Sequence, residues 1–227
     1  MTARRLLLGI DTGGTFTDAA LLDELLLAEG PAAVVASAKS LTTHDDLSRG
    51  IAGALDAAMA AGDAAAEEIA LVSLSTTLAT NATVEGQGAP AALVMIGFDA
   101  ADLDRQGLGA ARGDDPVIAV AGGHDVHGAR RAALDEAALG AALDTLPPRV
   151  AAVAICAHFA VRNPEDEARA REIVRARTGL SVTCSHELTA APGGPRRALT
   201  ALLNARLTPV IARLVAAAEA MLAVRGI

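Results

Sequence analysis

The sequence predicts an α/β protein whose mainly parallel sheet begins with an antiparallel β-hairpin. Short apolar runs, of which residues 6–10 are the first, alternate with segments of helical periodicity such as residues 45–61. Gly13 and Gly14 separate the first apolar run from a second one at residues 16–22, which is typical of a hairpin turn. Together the two patterns favour β-strands and helices in alternation after an initial hairpin.

The elements that follow the hairpin can be assigned from apolar runs and from helix caps. Gly62 and Gly179 end two helical patterns, and Pro164 opens the second of these after the capping residue Asn163. Pro209 lies inside a long apolar helical pattern and is expected to kink or restart it. Strands are predicted at 34–41, 69–75, 91–96, 117–121, 150–156 and 180–183, helices at 45–61, 134–146, 163–179 and 199–222, and a short helix after 75–86.

Composition excludes several classes of function. The net charge is −8 and aromatic residues make up 1% of the 227 positions, so the chain offers neither a basic surface nor stacking platforms for nucleic acid. The apolar run at 6–10 is too short for a signal peptide, and no uninterrupted apolar run reaches the length of a membrane span. We therefore expect a cytoplasmic protein without a membrane or nucleic-acid partner, with Cys156 and Cys184 reduced.

The first candidate site is the loop Asp11-Thr12-Gly13-Gly14-Thr15 at the end of the first predicted strand. Glycines allow backbone N–H groups to approach an anion closely, the threonines add hydroxyl donors, and the aspartate can hold a hydrated Mg²⁺. The simpler interpretation is a hairpin turn with glycine at positive φ. The loop has no Gly-Lys-Ser/Thr and so is not a P-loop.

A second polar loop, at residues 75–81, follows the apolar strand predicted at 69–75. Hydroxyls and an amide at the carboxyl end of a strand can grip a phosphate or a polar substrate, although serine and threonine also serve as ordinary helix caps. The sequence of this loop is Ser75-Thr76-Thr77-Leu78-Ala79-Thr80-Asn81.

Several segments resemble the N-terminal domain of the hydantoinase/oxoprolinase family. They are "GIDTGGTFTDAALL", "KSLTT", "LSTTLATNATVEGQGAPAALVMIGF", "AICAHFAVRNPEDEARAREI", "SHEL" and "LTALLNARLTP", in order along nearly the whole chain. The resemblance implies an actin-like (ribonuclease H-like) fold and ATP-dependent hydrolysis of a cyclic amide such as a hydantoin or 5-oxoproline. It also implies Mg²⁺, a hydantoinase B-type partner subunit and a homo- or hetero-oligomer.

The resemblance assigns roles to individual residues. Asp11 corresponds to the aspartate on the Mg²⁺ side and Asp18 to the acid that closes the hairpin, and both are expected to be catalytic. The residues implied in nucleotide binding are Thr12, Gly13, Gly14, Thr15, Thr76, Thr77 and Asn81.

This sequence departs from the family pattern at two positions and in its length. Ser75 stands where the family usually has glycine, and Gly86 stands where an arginine usually follows the glutamate. We expect residues 1–190 to form the family's N-terminal domain and 191–227 a helical connector. Because family chains are several times longer, we expect a part or a split half that does not bind ATP tightly alone.

Three other functions stay open at this stage: an ATP-dependent ketone carboxylase subunit, a small-molecule kinase, or a binding module without catalysis. Several further side chains have both a functional and a structural or solvated interpretation in the sequence. Two Cys-x-His pairs suit zinc poorly because apolar strands surround them, two histidines in a glycine-rich turn are expected to be solvated, and a lone lysine and a glutamate have solvated interpretations. These residues are Cys156/His158, Cys184/His186, His124/His127, Lys39 and Glu85.

Overall fold

The computed structural model describes residues 4–43, 46–77 and 88–227 and divides the chain into two compact units. The first unit comprises residues 1–87 and 211–227, and the second comprises residues 88–210. The domain boundary predicted at residue 190 stays a prediction.

The predicted α/β class with an initial hairpin, flanking helices and a long C-terminal helix is confirmed. The strands belong to two four-stranded sheets, however, where the sequence predicted one. The strands are β1 Leu6–Thr12, β2 Phe16–Asp23, β3 Val34–Leu41, β4 Ile69–Thr76, β5 Ala91–Ile96, β6 Val117–Val120, β7 Ala152–Ala157 and β8 Ser181–Cys184. The α-helices are α1 Leu47–Ala61, α2 Leu108–Arg112, α3 Glu136–Leu143, α4 Glu165–Thr178, α5 Ser185–Leu188 and α6 Gly194–Val224.

The sheet of the first unit has the strand order β3-β2-β1-β4. Strands β1, β2 and β3 are antiparallel neighbours, whereas β4 runs parallel to β1. Side chains alternate between the two faces of a strand, and Leu6, Leu8 and Ile10 of β1 are all buried on one of them. That face packs on α1 and on Leu214 of α6. Asp11, between the buried Ile10 and Thr12, therefore projects from the opposite face.

The sheet of the second unit is parallel throughout, with the order β6-β5-β7-β8. Both faces are covered, because alternate residues of β5 enter two different apolar clusters. One cluster includes Leu139 of α3 and Val174 of α4, and the other includes Leu202 of α6. The continuous apolar runs in β5 and β7 follow from this burial on both sides.

Helix α6 continues through Pro209, so of the expected kink or restart the restart does not occur. The helix is long and apolar enough, by length and composition, to cross a membrane. Core helices of soluble proteins pass the same test, so the property assigns no location. Buried side chains along α6 belong to the clusters described above: Ala198, Ala201, Leu202, Ala205, Leu214, Ala218 and Met221.

Two helix boundaries differ slightly from the sequence prediction. Helix α1 begins at Leu47, where the side chain of Asp46 caps it by accepting from the N–H of Ser48. Helix α4 begins at Glu165, and Asn163 Oδ1 accepts from the N–H of that residue at 3.0 Å. The short helix predicted after residues 75–86 and Asp45 lie outside the described residues.

Candidate nucleotide-phosphate site

Four polar side chains form a row across the open face of the first sheet. The strand register pairs Lys39 with Asp18, Asp18 with Asp11, and Asp11 with Ser75, so one residue from each strand contributes. Residues directly opposite each other on neighbouring strands project from the same face. Because Asp11 lies near the end of β1 and Asp18 near the start of β2, the row crosses the sheet at the end where the β1–β2 turn lies.

Two short contacts order this row. Ser75 Oγ donates to Asp11 Oδ1 at 2.6 Å, and Lys39 Nζ lies 2.9 Å from Asp18 Oδ1. Two carboxylates on directly opposed positions repel each other, and one ammonium group balances only one of them. The row is thus short of one positive charge, and that deficit favours a cation beside Asp11.

The row borders an open groove of about 540 Å³ on the same face of the sheet. Small residues form its floor, which leaves room for a ligand directly above the strands. The floor residues are Gly9, Ala20, Ser37 and Ser73.

The turn between β1 and β2 offers backbone donors beside the row. Gly13 N–H donates to the carbonyl of Phe16 at 2.9 Å, and Thr42 N–H donates to the carbonyl of Thr15 at 2.9 Å. Within the described parts of the chain, the N–H groups of Gly14 and Thr15 have no protein acceptor. Unpaired N–H groups at a tight turn can bind an anion, so this turn is a candidate phosphate site.

Gly13 allows a close approach of the backbone, and neither glycine of this turn has a left-handed backbone. Neither Gly13 nor Gly14 has positive φ. A Cβ on Gly13 would lie 2.9 Å from the carbonyl oxygen of Phe16, closer than real Cβ atoms approach. The simpler interpretation of the sequence, glycine at positive φ, therefore does not describe this turn.

The close approach of the Phe16 carbonyl to Gly13 predicts that Gly13→Ala destabilises the chain. The added methyl group has to displace the turn, so we expect a loss of about 1–3 kcal/mol in the free energy of unfolding. Gly9→Ala is the matched control, because its nearest neighbour, the carbonyl oxygen of Ala20, is 4.0 Å away. Urea unfolding of both variants measures the difference, and equal stabilities would contradict the assignment.

Thr12 and Thr76 meet on the turn side of the sheet. The Thr12 side chain is fully buried, away from the groove, and its Oγ1 has no partner among the described residues. Its carbonyl accepts from Thr76 Oγ1 at 2.8 Å and from the N–H of Thr77 at 3.3 Å. The structure thus brings the start of the second loop against the first, and Asn81 lies outside the described residues.

The donor set beside Asp11 suits Mg²⁺. This ion prefers hard oxygen ligands, keeps several waters and is usually held by one or two carboxylates together with substrate phosphates. Asp11 is an exposed carboxylate beside the Ser75 hydroxyl, at the end of a groove with space for water. Among the described residues that line this groove, none is a histidine or a cysteine.

Comparison with known sequences decides the family. The profile of the hydantoinase/oxoprolinase N-terminal region matches residues 7–178. The chain belongs to this family. The matched range includes the β1–β2 turn, Asp11 and the start of the second loop.

Three comparisons describe the relatives of this family member. The alpha subunit of caprolactamase from Pseudomonas jessenii is 32% identical over 97% of this chain and 34% of its own length. The crystal structure of the ATP-dependent caprolactamase from the same organism matches with a TM-score of 0.72 and 29% identity over 95% of this chain and 33% of that one. A nucleotide-free acetone carboxylase has the same fold, with a TM-score of 0.72 at 21% identity over 98% and 35% of the two chains. This hydantoinase/oxoprolinase-family chain spans about a third of the length of these relatives.

The second unit of the family chain contains a buried polar cluster around Glu167 of α4. The Glu167 side chain is fully buried and accepts from the N–H of Ala157 at 2.7 Å and from Ser185 Oγ at 2.6 Å. It also accepts from the N–H of His186 at 3.1 Å, and His186 Nδ1 lies 2.6 Å away. Arg197, fully buried as well, donates to Ser185 Oγ at 3.2 Å. The cluster joins the ends of β7 and β8 to α4 and α6.

The Cys-x-His pairs have separate surroundings. Cys184, His186 and Glu167 carry candidate metal-ligand atoms within 4.8 Å of one another, but hydrogen bonds already engage both oxygens of Glu167. Cys156 Sγ lies 3.4 Å from the carbonyl of Gly194, whereas His158 Nδ1 lies 3.1 Å from the carbonyl of His124. The first pair is thus divided between different partners, whereas Cys184 and His186 both contact Glu167.

Burial should make the thiols of Cys156 and Cys184 in this chain unreactive. Burial and the nearby Glu167 carboxylate raise the pKa of Cys156 and of Cys184 to about 12. At pH 8 the thiolate fraction is then about a thousandfold below that of an ordinary thiol. We expect alkylation of the native chain to be slower by that factor than alkylation of the urea-unfolded chain, in which both thiols react. Rapid modification of the native chain would contradict this burial.

The histidines of the glycine-rich turn differ from each other. His127 is exposed, as expected, but His124 is fully buried and neither of its ring nitrogens has a partner among the described residues. The prediction that both are solvated is wrong for His124. Its N–H donates to the carbonyl of His158 at 3.0 Å, which draws the turn against the end of β7.

Proposed function

We propose that this chain is the phosphate-binding part of an ATP-dependent enzyme that hydrolyses cyclic amides. The observation that carries the proposal is the β1–β2 turn, where the N–H groups of Gly14 and Thr15, which have no acceptor among the described residues, lie beside the carboxylate row of Asp11 and Asp18. The similarity to a caprolactamase alpha subunit supports the choice of a cyclic amide as the class of substrate.

The reaction uses ATP to activate an unreactive amide. The γ-phosphoryl group passes to the carbonyl oxygen of the ring, and ADP leaves. Water then attacks the carbonyl carbon and the carbon–nitrogen bond opens, which gives an amine and an acyl phosphate. A second water attacks the carbonyl carbon of the acyl phosphate, and the carbon–oxygen bond breaks to give a carboxylate and inorganic phosphate that carries the lactam oxygen. Overall, one ATP and two waters convert the cyclic amide into an open-chain amino acid.

The residues of the site have distinct roles in this proposal. Asp11, oriented by Ser75, holds Mg²⁺, which neutralises phosphate charge when it is bound. The turn Thr12–Thr15 directs backbone N–H groups at phosphate oxygens and stabilises the charge that develops during transfer. Asp18 fixes the position of Lys39. Thr76, Thr77 and Asn81 complete the phosphate side of the cleft.

A partner subunit is part of the proposal. The caprolactamase relative is described as a subunit, and this chain matches about a third of it. We propose that the complete enzyme pairs with a hydantoinase B-type subunit.

The test is a substrate panel of five-, six- and seven-membered lactams with the enzyme that contains this chain. We expect formation of the open-chain amino acid and of ADP only when a lactam and Mg-ATP are both present, and no requirement for bicarbonate. Turnover that needs bicarbonate and a ketone would assign a carboxylase instead. A stable phosphorylated product would assign a kinase.

A further inference from the structure

Lys39 is the only lysine among the 19 basic residues of the 227-residue chain. Every other cation–carboxylate pair of the described residues uses arginine or histidine. A sequence that uses arginine for its ion pairs has one lysine, and that lysine lines the groove of the candidate site. Its position singles it out as a residue whose chemistry differs from that of the others.

Two contacts position the ammonium group of Lys39, and neither is a strong interaction. Its Nζ lies 2.9 Å from Asp18 Oδ1 and 5.1 Å from the centre of the Phe16 ring, which is one of three aromatic rings in the chain. The side chains of Lys39 and Asp18 are 57% and 47% exposed, and an ion pair in that setting adds little to stability. The pair therefore positions the ammonium group at the groove more than it stabilises the fold.

Lysine and arginine would behave differently at this position. The guanidinium group of arginine forms a planar fork that can bind a carboxylate with two parallel hydrogen bonds. An ammonium group is a compact charge with three donors, so it can keep Asp18 on one side and accept a phosphate on another. A phosphate carries more negative charge than a carboxylate and competes well for the same cation.

We propose that Lys39 binds the phosphoryl group that ATP transfers, with Asp18 and Phe16 as its positioning residues. The inference rests on the proposed function, since it assigns a further ligand to the same nucleotide. Asp18 separates Lys39 from Asp11 in the row, so the transferred group would meet the ammonium group on one side and the Mg²⁺ proposed at Asp11 on the other.

The single lysine allows a direct test. Chain grown with lysine carrying ¹³C at Cε gives one such signal, and that signal belongs to Lys39. We expect the Lys39 signal to move on addition of Mg²⁺ with a non-hydrolysable ATP analogue, and to move less with Mg-ADP, which lacks the third phosphate. A signal that stays in place at saturating analogue would overturn the inference.

Variants of the assembled enzyme give a second readout by calorimetry, because the chain alone is expected to bind ATP weakly. Lys39→Met should weaken binding of the ATP analogue by about tenfold or more, the loss expected for one charge-assisted hydrogen bond, and leave Mg-ADP binding unchanged within error. Lys39→Arg should restore part of the affinity. Arg5→Met is the matched control, because Arg5 forms another exposed ion pair of the same unit, with Glu24. Equal loss for both nucleotides would contradict a role at the transferred phosphate.

The failure of this inference can be told from failure of the proposed function. If Asp11→Asn weakens analogue binding but the Lys39 signal stays in place and Lys39→Met binds normally, only the assignment of Lys39 is wrong. If neither the wild-type chain nor the assembled enzyme binds Mg-ATP, both are wrong.

Discussion

Asp11→Asn is expected to lower ATP-dependent opening of the cyclic amide by about a thousandfold, the largest catalytic effect of any single change in the site. Asparagine keeps the shape of the side chain and can still accept from Ser75, but it removes the negative charge that we propose binds Mg²⁺. We expect the loss mainly in kcat, with a higher Mg²⁺ concentration needed for half-maximal rate. Steady-state kinetics over a Mg²⁺ series measures both.

Asp23→Asn is the matched control for Asp11→Asn. Asp23 lies at the opposite end of the same hairpin, paired with Leu6, and its side chain caps the segment after β2 by accepting from the N–H of Leu25 at 2.9 Å. Asparagine caps as well as aspartate does, so activity and stability should hold. Near-normal activity of Asp11→Asn, with Asp23→Asn also normal, would remove Asp11 from the mechanism.

Glu167→Ala is expected to cause the largest loss of stability, about 3–5 kcal/mol in the free energy of unfolding. The change would leave the N–H of Ala157, the Ser185 hydroxyl and the N–H of His186 without their acceptor inside the protein. It would also remove the acceptor of the Ser185 hydroxyl, whose oxygen accepts from the fully buried Arg197. Chemical unfolding followed by circular dichroism measures the loss.

The control for that prediction is Glu165→Ala, two residues earlier in α4. The Glu165 side chain is 65% exposed, and its ion pair with Arg130 is of the kind that contributes little. We expect a change within about 0.5 kcal/mol. Similar losses for both variants would show that the start of α4, and not the buried carboxylate, controls stability.

The sequence predicted the hairpin and its two aspartates but not the full row of four. Asp11 and Asp18 lie opposite each other because a tight turn sets the register of the hairpin, and that register follows from local sequence. Ser75 and Lys39 join them through the β1–β4 and β2–β3 pairings, which connect distant segments. Local periodicity cannot give such a register. The one available signal was compositional, since Lys39 is the only lysine.

In the second unit, too, the sequence does not reveal which acidic residue is buried. The acidic residues at the start of α4 have a sufficient explanation in the helix dipole, and Glu165 is exposed as that explanation requires. Glu167 is instead fully buried, because the ends of β7 and β8 supply donors for its carboxylate. Its burial depends on how α4 packs against the sheet, which a helical charge pattern does not reveal. The burial of His124 is hidden in the same way, because a glycine-rich local sequence does not reveal that the turn packs against the end of β7.

Isotope transfer from the substrate tests the central claim most directly. A lactam opened by the enzyme is prepared with ¹⁸O in its carbonyl group and turned over with Mg-ATP in ordinary water. If the site phosphorylates the carbonyl oxygen and water then attacks the carbon, one ¹⁸O atom appears in each inorganic phosphate released. If all of the ¹⁸O stays in the carboxylate of the product, the carbonyl oxygen never left with the phosphate, and the proposed sequence of phosphorylation followed by carbon–oxygen cleavage is contradicted.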